Sequence, residues 1–224
     1  MSFIRQSAAV AAKDLRIEIR GRHALGVVLP FACTQLIAFG LSVGPGRLLL
    51  EETAPALLWL AVLFASVLAF RGAYEAEGED GALEGLLLAP IDKAAVFAGK
   101  AAAVVVQLLF LEVGVVALTA ALFGVSPVGS PVQLATALTL GTVGLAAVGS
   151  LFGVLTEAAR AREAVFPLLI LPVTTPVLVA GVKATALIQS GHPGEATSWL
   201  GLLLAFAVVF LSGGALLFGQ LLED

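Results

Sequence analysis

Few side chains in this sequence could do chemistry. Glu112 stands in a long apolar run, with Gln107 about one turn away and no basic residue between Lys100 and Arg160. A carboxylate at the middle of an apolar span costs several kcal/mol unless it is paired, protonated or facing water. Glu112 could line a conduit or bond a second helix. It could equally be a protonated carboxyl hydrogen-bonded inside a bundle, and its partner is not identifiable from spacing. Of the two histidines, His192 lies in Gly191-His192-Pro193-Gly194. A neutral imidazole can bind a metal, but this run of chain breakers reads more simply as a loop. His23, just before the first apolar run, marks a membrane interface. The single cysteine, Cys33, can form no intrachain disulfide and no cysteine-based metal cluster.

Nucleotide and hydrolase signatures are missing. Gly99-Lys100 lacks both the upstream glycine and the following Ser/Thr of a phosphate-binding loop, and no dinucleotide, zinc-hydrolase or nucleophile-elbow motif occurs. No catalytic, cofactor-binding or metal-ligating residue is assigned, and the chain is expected not to be an enzyme. A net charge of −4 offers no basic excess for nucleic acid.

The elements that hold these residues belong to a membrane protein. Of 224 residues, 59% are hydrophobic and 12% charged, and mean hydropathy is +1.04. Soluble domains carry about 25% charged residues, so lipid is the solvent this composition suits. Charges are absent from 24–46, 53–70, 113–156, 164–182 and 196–222. A helix needs roughly 20 apolar residues to cross the hydrocarbon core. Six spans are expected, at about 24–44, 54–71, 101–123, 132–156, 164–182 and 198–222. Pro55 is expected to open the second, and Pro167, Pro172 and Pro176 to kink the fifth against protein neighbours. Gly141, Gly144 and Gly149 mark a face of the fourth that permits close helix approach. Residues 183–197 read as a loop, and Trp59, Tyr74 and Trp199 as members of interfacial aromatic belts.

Residues 2–22 alternate Phe3, Ile4, Val10, Leu15, Ile17 and Ile19 with five Lys/Arg. That pattern predicts an amphipathic helix lying on the membrane surface. The bland alternative is a basic flank without set structure. No cleavage-site pattern follows, so the first span is expected to be retained. With the N-terminus inside, ten of the twelve Lys/Arg fall on cytoplasmic segments. Only Arg47 and Lys183 fall outside, which favours both termini in the cytoplasm. One membrane domain covers residues 1–224, and no internal repeat is evident.

The cytoplasmic stretch 72–100 departs from that charge trend through Glu75, Glu77, Glu79, Asp80 and Glu84. Asp80 can cap a short helix over 81–89, which Pro90 ends. Leu83, Leu86 and Leu87 then share a face suited to a partner's groove. A solvated loop with an interfacial helix is the plainer reading.

Taken together, these residues resemble the CcmB family, haem exporter protein B, the ABC-transporter permease of cytochrome c maturation. The resemblance rests on Lys13-Asp14-Leu15-Arg16 with Glu18 and Arg20, on Glu75, and on the runs 79–86 and 88–90. It continues through Phe97, Gly99-Lys100, Glu112, the runs 140–144 and 149–152, Ala161-Arg162-Glu163, and Pro167, Pro172 and Pro176. It implies an all-α permease of the ABC-2 type with six transmembrane helices, an N-terminal amphipathic helix and a cytoplasmic coupling helix. It implies a bacterial inner-membrane location and a separate cytoplasmic ATP-binding subunit. Haem-handling and small membrane subunits, an outer-face haem chaperone and a second copy of the chain are further implied partners. On that reading ATPase coupling falls to Glu75, Glu79, Asp80, Leu83, Glu84, Leu86 and Leu87, with Glu112 the intramembrane candidate. Haem would be cargo and not a directly bound cofactor, since the tryptophan-rich motif of a haem-handling partner is absent. Two rivals are a permease of the same fold for lipid, polysaccharide or drug, and a channel or secondary transporter using Glu112 without an ATPase.

Overall fold

The computed structural model describes residues 2–22, 24–44, 46–78, 91–124, 130–157 and 162–218. Every regular element among them is helical. The first is α1, Phe3–Gly21. A short π-helical segment, Ala24–Val28, leads into α2, Leu29–Val43. Then come α3, Arg47–Gly78; α4, Lys93–Phe123; α5, Pro131–Glu157; α6, Arg162–Gln189; and α7, Pro193–Leu217. Six helical stretches are long and apolar enough to cross a membrane: Ala24–Val43, Arg47–Phe70, Lys93–Phe123, Pro131–Gly153, Leu168–Gln189 and Pro193–Leu217. The chain is an all-α membrane protein.

The entry to the bundle is built from polar contacts at helix ends. The first N–H groups of a helix have no partner within it. At the start of α4 the Asp92 carboxylate accepts from the Ala94 N–H at 2.9 Å. The Gln6 side-chain oxygen on α1 accepts from the Asp92 N–H at 3.3 Å. Residue 99 must be glycine for α1 to lie this close, because a Cβ there would run into the Ser7 carbonyl and the Val10 side chain. Val10 is the buried residue of α1, while Ile4 and Ile19 are exposed. The expected helix is therefore present, docked along one edge and with apolar side chains exposed on another. It ends at Arg22, which adopts left-handed backbone (φ 53°) and donates to the Glu18 carbonyl. The Glu18 carboxylate accepts from the N–H of Ala24, which fixes the elbow into the first span.

Three boundaries differ from the sequence reading. Helix α3 starts at Arg47, so Pro55 lies inside the helix and does not open it. The early start is compatible with charge because Arg47 and Glu51 pair one turn apart at 2.7 Å. Helix α4 already includes Lys93 and Lys100, and Lys100 is buried. Helix α6 continues to Gln189, so 183–189 is helix and not loop. Only residues 190–192 separate it from α7, where Pro193 takes a first-turn position that lacks nothing by having no N–H.

Helix α5 is the hub. It packs on α3, α4, α6 and α7, while α3 also meets α2, α4 and α6. Aromatic rings fill the glycine positions. Trp59 of α3 lies where Cβ atoms at Gly141 of α5 and Gly181 of α6 would stand. Phe70 of α3 covers Gly149, Phe206 of α7 covers Gly144, and Phe97 of α4 covers Gly214 of α7. The three glycines of α5 thus serve packing, as expected, but not on one face: Gly141 and Gly149 receive α3, and Gly144 receives α7. Trp59 is correspondingly not a belt residue. It is fully buried at mid-span within a cluster that includes Leu58, Leu138, Leu145, Val177 and Ala180.

Candidate functional site

The intramembrane site is built on one turn of α5. Gly141 faces the Trp59 ring. The next residue, Thr142, is fully buried and donates its hydroxyl to the Glu112 carboxyl of α4. Consecutive residues of an α-helix point about 100° apart, so one turn of α5 can serve α3 on one side and α4 on the other. Glu112 is only 5% exposed. One carboxyl oxygen is occupied by Thr142, while the other, Oε2, is buried with no hydrogen-bond partner among the described residues. Gln107 is also buried, and its amide nitrogen likewise finds no partner there.

Glu112 is therefore neither lipid-facing nor ion-paired in the described structure. Its helix turns a stripe of Val106, Phe110 and Val113 outward and carries Glu112 on the inner side. Buried acceptors without donors are uncommon and costly. A carboxyl with one free oxygen keeps the capacity to accept or donate another hydrogen bond.

The Trp59 contact beside it is closed by comparison. The indole N–H donates to the hydroxyl of Thr185 on α6 at 2.9 Å, and Thr185 is fully buried. Neither threonine announced itself in the sequence. Thr142 lies thirty residues from Glu112 and Thr185 lies 126 from Trp59, so no local periodicity connects them.

Of the proposed coupling residues, Glu79, Asp80, Leu83, Glu84, Leu86 and Leu87 lie outside the described residues, as does the expected helix over 81–89. Glu75 falls within the last turns of α3, of which the backbone alone is described. His192 is exposed between α6 and α7, with its ring nitrogen 3.4 Å from the Ser190 hydroxyl. His23 lies outside the described residues, and Cys33 is a half-buried free thiol.

Residues 5–219 match the sequence profile of the CcmB protein family. The chain belongs to the CcmB family. Three of its curated relatives are each called heme exporter protein B. The protein from Pseudomonas aeruginosa is 31% identical over 201 residues, covering 88% of each chain. That from Rhodobacter capsulatus is 33% identical over 194 residues and 84% of each. That from Paracoccus denitrificans is 32% identical over 183 residues, 79% of this chain and 80% of the other. The CcmB match spans all six membrane-crossing stretches and contains Glu112, Thr142, Trp59 and Thr185.

Proposed function

We propose that this chain is the permease subunit of an ABC transporter serving cytochrome c maturation in the bacterial inner membrane. One observation carries the reading: the match to the CcmB family runs from residue 5 to 219, and the relatives named above, each called heme exporter protein B, align with this chain over most of their length. The whole chain acts as a single transmembrane permease domain with both termini cytoplasmic, as the ten-to-two Lys/Arg split favours. It couples ATP hydrolysis by a separate subunit to haem export or to release of a haem-loaded chaperone on the outer face. Haem is cargo here, and the haem-handling subunit, the small membrane subunit and a second copy of the chain complete the assembly.

The contact for the ATPase is residues 75–88. Of the cytoplasmic segments, the N-terminal one is occupied by α1, which lies against α4 and exposes Ile4 and Ile19. Between α5 and α6 only residues 158–161 remain. The acidic loop alone offers three leucines at helical spacing with carboxylates beside them to steer a basic rim. Burial of two leucines supplies about 3–6 kcal/mol before entropic losses. Changing Leu83 and Leu86 to Asp is expected to abolish co-purification of the ATPase while the protein stays in the membrane. Full retention of the ATPase by that double variant excludes this segment as the main dock. Orientation has its own test in a Cys33→Ala background. Cysteines at Gly46 and Gly191 should label from outside and those at Ser2 and Gly81 should not.

A further inference from the structure

Where α3 begins and α6 ends, a cleft of about 600 Å³ opens between the two helices. Its lining holds four charged side chains, Arg47, Glu51, Glu52 and Lys183. All four belong to membrane-crossing stretches, three to Arg47–Phe70 and one to Leu168–Gln189. Arg47 donates its Nε–H to Glu51 at 2.7 Å and the two form an ion pair. Lys183 and Glu52 are both exposed and make no ion pair among the described residues.

Lys183 stands deep in its span. It lies six residues before the end of α6, roughly 9 Å along the axis at 1.5 Å per residue. Its neighbours on α6 fix the level. Gly181 lies against the Trp59 ring, and Thr185 accepts from the Trp59 indole N–H. Trp59 in turn is twelve residues from the start and eleven from the end of the stretch Arg47–Phe70. The backbone of Lys183 is therefore at mid-span, while Arg47 and Ser190 of the same lining stand at helix ends. Ionised side chains within a span are costly in hydrocarbon, and those that occur face either the bundle interior or water. Lys183 is exposed and not enclosed by the bundle, which leaves water.

We propose that this cleft is a water-filled vestibule that brings small hydrated ions from the end of the bundle to its middle. A space of this size holds on the order of 20 waters at ~30 Å³ each. Hydration lets Lys183 and Glu52 keep their charges without a partner. The lining carries two cations and two anions, so ions of either sign are admitted. The vestibule ends at the level of Trp59, which is fully buried. None of this depends on which end of the bundle is cytoplasmic, or on the cargo.

The test is thiol labelling in the full chain with Cys33→Ala, in open membrane fragments so that both faces meet the reagent. The probes are an anionic and a cationic methanethiosulfonate. Gly191→Cys, between α6 and α7, gives the rate at the end of the bundle. Leu204→Cys is the lipid-facing control. It is 51% exposed on α7, beside Leu203 of the cluster that holds Trp59, and no charged residue lies within 196–222. Lys183→Cys should react with both probes within about tenfold of Gly191→Cys. Leu204→Cys should react more than about tenfold slower, because apolar surroundings suppress the thiolate that reacts. Leu204→Cys combined with Lys183→Ser should stay slow, which excludes unfolding as the source of the labelling. Ala186→Cys lines the same cleft and keeps Lys183, so it decides the matter if the lysine variants open the fold. Reaction of Lys183→Cys or, in that case, Ala186→Cys as slow as that of Leu204→Cys overturns the proposal and means that lipid fills the cleft.

Discussion

Trp59 and Glu112 meet the same turn of α5 from opposite helices, and each forms a hydrogen bond with a buried threonine. Trp59 donates to Thr185, and its ring fills the space left by two glycines on two helices. Its one polar atom is used and the rest of its surface is packed. Glu112 accepts from Thr142 and keeps a second oxygen that is buried without a partner. The first arrangement has nothing left over, so its energetic role ends with the fold. The second retains a polar group that folding alone does not require, since a leucine at position 112 would suit an apolar bundle better. The difference separates a joint that is fully satisfied by the fold from a buried carboxyl that the described fold satisfies only in part.

Substitutions that change one contact and spare the other test this division. The largest loss of stability is expected from Trp59→Ala, which empties the space between α3, α5 and α6. Loss of a buried aromatic costs about 3–5 kcal/mol, read as a lowered midpoint in thermal or denaturant unfolding in detergent. Gly141→Val adds bulk where the indole already lies, and overpacking of this kind costs about 1–3 kcal/mol. Combined with Trp59→Phe it should cost less than the sum of the two, because the smaller ring makes room. Strict additivity would show that the ring does not rest on Gly141. Thr142→Val keeps the shape but leaves the Glu112 carboxyl with no partner among the described residues, at about 1–3 kcal/mol. That cost should vanish in a Glu112→Leu background. If it persists there, Thr142 is stabilising for a reason other than Glu112.

The spans were legible because lipid imposes a coarse rule. Long charge-free runs are needed, and this chain supplies five of them. Where charge intrudes into a helix, that rule misplaces the ends. Arg47, Glu51 and Glu52 resembled a loop, yet they ride on the first turns of α3 with an ion pair between two of them. Lys183 resembled the start of a loop because a cation ends an apolar run, yet α6 continues past it and turns the side chain into a cleft. By residue type and its place near an expected span end Trp59 reads as a belt residue, but two distant glycines, at 141 and 181, draw it into the core. Glu112 was recognisable as exceptional from composition alone. Its partner was not, because the pairing of α4 with α5 is a tertiary fact that no spacing within either helix carries.

We propose that Glu112 is kept for transport and not for folding, and Glu112→Gln tests this most directly. The amide preserves shape, can still accept from Thr142, and removes any need to hold a charge in the bundle. The measurement pairs unfolding in detergent with production of c-type cytochromes in cells that carry only the variant. The account predicts an unfolding midpoint and a membrane abundance equal to or above wild type, together with a clear drop in cytochrome yield. Cytochrome production at the wild-type level, with stability unchanged, would contradict the account and make Glu112 a residue the bundle merely tolerates.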